Sequence, residues 1–164
     1  MSSTKPVVVI VPGGFCNPQT YKPVEELLQQ QGYETIVPKL TVCGDLSSAT
    51  AASREWKDMA EKDTADDVKL IHSLLLPFLE QGRKAVIVGH SYGSIPAALS
   101  IEGQTVPERA SKGGKGGIVA YVSVAGFAHP VRGKNVLGTD DDLPLMPYHT
   151  LEVSTYFLQN INVV

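Results

Sequence analysis

Apolar and polar positions along the chain alternate between two rhythms. Val7-Val8-Val9-Ile10-Val11 is an unbroken β-branched run closed by Pro12-Gly13-Gly14, which predicts a strand buried on both faces of a parallel sheet. Tyr21, Val24, Leu27 and Leu28 then share one helical face, with Glu25 and Glu26 in the early turns and Gly32 at the capping position. Residues 33–37 read as a second strand, and residues 39–57, which hold no period, as a long excursion. Thr64 as cap, Asp66 and Asp67 at the positive helix end, and Val68, Ile71, Leu74, Leu75, Phe78 and Leu79 on one face predict the strongest helix. Pro77 is expected to kink it and Gly82 to end it.

A third buried strand, Ala85-Val86-Ile87-Val88, runs directly into Gly89-His90-Ser91-Tyr92-Gly93 and a helix over residues 95–101 that tolerates Pro96 in its first turns. Residues 111–117, rich in Gly and Lys, read as a flexible surface loop, and residues 118–124 as the fourth strand. Beyond Ala125 no further strand is readable. Strands alternating with helices predict the α/β class: right-handed β-α-β units building an open, mostly parallel sheet with helices on both faces. Ligands in such sheets bind outside the carboxyl ends of the strands, where both glycine-rich turns fall. Residues 1–128 are expected to form the core and residues 129–164 a partial cap region.

Composition narrows the partners. A net charge of -3, with Lys and Arg scattered, leaves no basic field for phosphates, so nucleic acid is not an expected partner. The Val7–Val11 run is too short for a signal-peptide core, and no run approaches the ~20 apolar residues of a membrane span. A cytoplasmic setting without membrane partners is the expectation. Cys16 and Cys43 read as free thiols in a reducing compartment, and no Cys or His spacing suggests a metal.

The chemistry concentrates at Gly89-x-Ser91-x-Gly93. A strand enters it and a helix leaves it, the setting in which a strained turn lifts a serine hydroxyl above the sheet. Side chains two positions away would collide there, a need that Gly89 and Gly93 meet. Ser91 is therefore the expected nucleophile, and the Tyr92 N–H, at a helix start, an expected oxyanion donor. A second donor is expected from the turn after the first strand, at Gly14 or at Phe15, whose side chain could also line an acyl pocket. The plain alternative for either turn is an ordinary strand-to-helix connection.

On these residues the chain resembles the α/β-hydrolase superfamily, and within it the small esterases of the plant methylesterase and hydroxynitrile lyase kind with their fungal relatives. Val9-Ile10-Val11-Pro12-Gly13-Gly14 is similar to that family's strand followed by His-Gly-Ala or Pro-Gly-Ala. Val86-Ile87-Val88-Gly89-His90-Ser91-Tyr92-Gly93-Ser94 is similar to its nucleophile elbow, and Val122-Ser123-Val124-Ala125-Gly126-Phe127 to the strand before its cap. The resemblance implies acyl transfer through an acyl-serine, no cofactor, and a small ester or related carbonyl substrate.

The departures matter equally. In this fold the order is serine, then Asp or Glu, then His, each after a later strand, and no such strands are readable here. Asp140, Asp141 or Asp142 followed by His149 matches the order, but their close spacing reads as a solvated cap loop. His129 reads as part of a His-Pro turn, His72 and His90 as structural, and Tyr121 and Tyr156 carry no legible role. The expectation is a truncated serine carboxylic-ester hydrolase, roughly two thirds of an enzyme of about 250 residues. The alternatives are a catalytically silent fragment acting as a binding or auxiliary protein, and a lyase or tailoring enzyme of secondary metabolism. A parallel sheet cut after its fourth strand is also expected to self-associate through its edge. Val153-Ser154 is what an in-frame splice donor encodes, so the end of the chain is open to two readings, an ordinary cap helix over residues 151–158 and intron read-through over residues 153–164.

Overall fold

The computed structural model describes residues 5–41, 58–59 and 61–126. The chain divides into two compact units, Met1–Asp45 with Asp63–Phe127, and Leu46–Lys62 with Ala128–Val164. In the second, Asp58 and Met59 are helical and the Lys62 N–H donates to the Met59 carbonyl at 3.1 Å. The first holds the sheet.

Among the described residues four strands, β1 (Val7–Val11), β2 (Glu34–Ile36), β3 (Lys84–His90) and β4 (Gly117–Val124), pair in the order β2-β1-β3-β4, every pair parallel. This is the expected α/β sheet. The chain moves outward from β1 to β2 and then returns past β1 to β3, so right-handed crossovers send the two intervening helices to opposite faces. All five residues of β1 are buried, as its β-branched run requires. Val7, Val9, Val11, Ala85, Ile87 and Ile118 form the core with Leu40 and Ala97.

Four helices are described between the strands: α1 (Lys22–Gln30), α2 (Thr64–Glu80), α3 (Ser94–Leu99) and α4 (Val106–Ser111). A 3-10 turn at Pro18–Tyr21, capped by the Asn17 side chain, leads into α1. The apolar face read for α1 is only partly covered, with Val24 50% and Leu27 63% exposed. The cap of α2 is Asp63 rather than Thr64: Asp63 and Asp66 exchange side-chain-to-backbone hydrogen bonds, a capping box that outcompetes the neighbouring hydroxyl. Ile71, Leu75 and Leu79 form its buried stripe, and Leu74 lies partly outside it. The helix runs unbroken through Pro77 to Glu80 and ends at Gly82, whose φ of 83° lets the Arg83 N–H reach the Phe78 carbonyl.

Two readings need correction. Helix α4 had no sequence-based expectation, although Thr105-Val106-Pro107-Glu108 is a capping-box pattern and forms one here. The Gly- and Lys-rich stretch that follows is not a flexible linker. Gly113 and Gly114 donate to the Ala110 and Arg109 carbonyls at 3.0 and 2.8 Å, the Arg109 Nε–H donates to the Lys115 carbonyl, and the Gly117 N–H donates to the Arg83 carbonyl. Its glycines serve a tight helix stop packed on the α2–β3 corner.

Candidate active site

Register places the two glycine-rich turns side by side. Val11 pairs with Gly89, so Pro12-Gly13-Gly14 leaves β1 next to His90-Ser91-Tyr92 leaving β3. This is the point where strand order reverses, at the carboxyl edge of the sheet.

Ser91 begins a 3-10 turn, Ser91–Gly93, that continues into α3. Its φ is 50°, a left-handed conformation that a non-glycine residue holds only under constraint from its surroundings. The constraints are visible. A Cβ on Gly89 would lie 2.6 Å from the Ser94 Cα, and one on Gly93 would overlap the Val11 and Pro12 carbonyl oxygens. Both glycines are thus sterically required, and they lock the elbow against β1. The Ser94 hydroxyl donates to the Ser91 carbonyl at 2.7 Å. The Tyr92 N–H lies in the first turn of this helical segment, where N–H groups point out of the helix start.

The opposite turn closes with the Cys16 N–H donating to the Gly13 carbonyl at 3.1 Å. Phe15 sits in it at φ 60° with 65% of its surface exposed. Added Cβ atoms measure how near this turn comes: one on Gly13 would lie 3.3 Å from the Ser91 Cβ, and one on Gly14 3.5 Å from the Tyr92 Cβ. Among the described residues the N–H groups of Gly14 and Phe15 find no protein acceptor. The arrangement can therefore offer backbone donors from two chain segments beside one serine hydroxyl.

Three supporting groups escaped the sequence reading. The Tyr21 hydroxyl accepts the Gly13 N–H at 2.9 Å and lies 2.7 Å from His90 Nδ1, tying the first turn to β3. Tyr121, which had no expected role, donates from its hydroxyl to the Ser94 carbonyl at 3.0 Å. Asp67, expected only as a favourable charge at the helix start, is fully buried. Its Oδ1 accepts from the N–H and hydroxyl of Thr41, and its Oδ2 accepts from the Tyr92 hydroxyl at 2.8 Å. The available signal was its spacing, one helical turn ahead of Ile71 in the stripe that continues through Leu75 and Leu79.

His72 bonds the Ser100 carbonyl through Nε2 and His90 bonds Tyr21 through Nδ1, and among the described residues no histidine nitrogen is bonded to the Ser91 hydroxyl. Cys16 is a free thiol. Cys43, His129, Asp140, Asp141, Asp142, His149, Tyr156 and residues 153–164 lie outside the described residues. Among the described residues no helix is long and apolar enough to cross a membrane.

The parallel sheet, the strained serine after β3 and the glycine turn beside it agree with a match to the alpha/beta hydrolase family model over residues 8–158. The chain belongs to the alpha/beta hydrolase family. It is 26% identical over 137 residues to "Alpha/beta hydrolase nvfD" of Aspergillus novofumigatus (strain IBT 16806), an alignment covering 82% of this chain and 48% of that protein. Two solved structures share the fold. An extracellular alpha/beta-hydrolase from a Paenibacillus species, described as homologous to tobacco salicylic acid binding protein 2, aligns at TM-score 0.51 and 16% identity over 76% of this chain and 42% of its own. Tomato methylketone synthase I, solved with 2-tridecanone, aligns at TM-score 0.53 and 17% identity over 77% of this chain and 42% of its own. The chain thus spans about half the length of the curated relative it matches.

Proposed function

We propose that this chain carries the nucleophile half of a serine carboxylic-ester hydrolase acting on a small ester or related carbonyl compound. The observation that carries the proposal is Ser91 at φ 50°, held between β3 and a helix start beside the glycine turn after β1. In this reading the Ser91 Oγ bonds to the carbonyl carbon and its proton passes to a base. The oxyanion is held by N–H groups of Tyr92 and of Gly14 or Phe15, the alkoxide leaves with a proton, and water then releases the acid from the acyl-serine. No cofactor takes part. The base and its carboxylate partner belong outside the described residues, because His72 and His90 bond to other groups. A division between a core over residues 1–128 and a cap region over residues 129–164 accompanies this reading, as does a cytoplasmic setting.

The test is a stopped-flow trace with an activated ester such as p-nitrophenyl acetate. A burst of p-nitrophenol of about one equivalent per chain is expected, absent in Ser91→Ala. A lack of any burst favours the second reading, a silent relative that binds small molecules, which gains support from the described histidines, His72 and His90, being bonded to groups other than the Ser91 hydroxyl. With a β-keto acid or a cyanohydrin as substrate, release of a methyl ketone with CO2 or of an aldehyde with hydrogen cyanide would favour a lyase or tailoring role. Self-association through β4 belongs to the same proposal, supported by the exposed side chains of Val119, Val122 and Val124. Sedimentation of the wild type against Val122→Lys tests it: a concentration-dependent dimer lost in the variant is expected, and a monomer in both contradicts it.

A further inference from the structure

We propose that Asp67 is a positioning residue for the reaction at Ser91, holding the Tyr92 N–H in place by gripping the far end of the Tyr92 ring; this rests on the acyl-serine reading given above. Asp67 occupies a core position of α2, in line with Ile71, Leu75 and Leu79, and none of the four has exposed surface. A carboxylate in such a stripe costs desolvation that a leucine would not, so its place is understandable only through the bonds it makes. Among the described residues it makes three, at 2.7 and 2.8 Å to the N–H and hydroxyl of Thr41 and at 2.8 Å to the Tyr92 hydroxyl. Three chain segments meet on one carboxylate: the segment after β2, the first turns of α2, and the elbow.

Tyr92 stands between Ser91 and Gly93, and its side chain reaches α2. Its ring is a rigid lever with two torsions, fixed by Asp67 at one end and joined at the other to the backbone that follows the strained Ser91. A residue at φ 50° relaxes unless its neighbours over-determine it. Gly93 against the Pro12 carbonyl and the Ser94 hydroxyl on the Ser91 carbonyl restrain the elbow from the β1 side and from α3, and Asp67 restrains it from α2. Both Asp67 oxygens are engaged by Thr41 and Tyr92, so it acts through Tyr92 and not on the serine proton.

Asp67→Asn and Tyr92→Phe test this from the two ends. The first keeps the shape but sets an amide N–H against a donor, and the second removes the hydroxyl while leaving the Thr41 bonds intact. Labelling of Ser91 by a fluorophosphonate, measured against probe concentration, is expected to show a maximal rate about tenfold lower in each variant with half-saturation unchanged. The double variant should fall no further than the singles, since both remove one bond. The Ser91–Gly93 amide resonances of the full chain should shift in each variant while those of Glu34–Ile36 stay fixed. Unshifted elbow amides with wild-type labelling overturn the proposal, even if the variants melt earlier. Should wild-type Ser91 take no label, the acyl-serine reading fails on its own, and the amide shifts then decide whether Asp67 sets the elbow. Should Asp67→Asn fail to fold, Tyr92→Phe carries the decision.

Discussion

Strands β1 and β4 are both apolar, parallel and rich in β-branched residues, yet every residue of β1 is buried while β4 is exposed from Val119 onward. The difference lies in their neighbours. β1 pairs on both edges, with β2 and β3, whereas β4 pairs with β3 alone among the described residues. Composition sets a strand's capacity for burial, and pairing on both edges with covered faces realises it. The candidate site sits where that capacity is realised, at the carboxyl ends of β1 and β3. Precise placement of a strained serine needs a rigid floor, and the two best-packed strands provide it.

The contrast can be broken most severely at Gly93. Gly93→Ala puts a methyl group into the Val11 and Pro12 carbonyls, and a loss of more than ~3 kcal/mol is expected from urea unfolding. Wild-type stability in that variant would mean that the elbow and the β1 turn do not touch. Next comes a matched pair, measured at concentrations low enough to keep chains apart: Ile87→Ala in β3 should cost about 2–5 kcal/mol, and Val122→Ala in β4 within about 0.5 kcal/mol. Equal costs at that dilution would show that β4 is covered within the single chain. Tyr21→Phe, which removes the bonds to the Gly13 N–H and to His90, should cost about 1–2 kcal/mol. A smaller loss would mean that water or another group replaces the hydroxyl.

The smallest effect is expected at α4, beside the exposed strand. Hydrogen bonds from the Thr105 side chain, then from its backbone N–H, hold the Glu108 carboxyl below the usual carboxylate range. A carboxyl whose pKa is lowered by folding adds stability above its unfolded pKa and loses it as pH falls through the lowered value. Glu108→Gln should therefore flatten the acid limb of a stability-against-pH curve slightly, with no change at neutral pH beyond that of the cap. A change of the opposite sign would exclude the capping box as its cause.

Much of this was readable beforehand, for physical reasons. The β1 run and the strand-to-helix turn at Ser91 are local patterns, so the strands and the turn's need for small residues at Gly89 and Gly93 followed from periodicity and steric need. What escaped depends on long-range contacts. Asp67 carries the same letter whether it tips a helix into water or holds a tyrosine in the core, and only the packing of Thr41 and Tyr92 around it distinguishes the two. Tyr21 and His90 are far apart in sequence and meet through the β1–β3 pairing. The cap of α4 was a local signal that could have been read from Thr105 and Glu108. The glycines of residues 113–117 were misread because one composition serves both flexible linkers and tight helix stops.

The central claim is that Ser91 is the nucleophile, and peptide mapping after reaction with a fluorophosphonate tests it most directly. One phosphonyl group on Ser91, absent from the Ser91→Ala variant, is the expected result. Label on Ser94, or label persisting in Ser91→Ala, would contradict it.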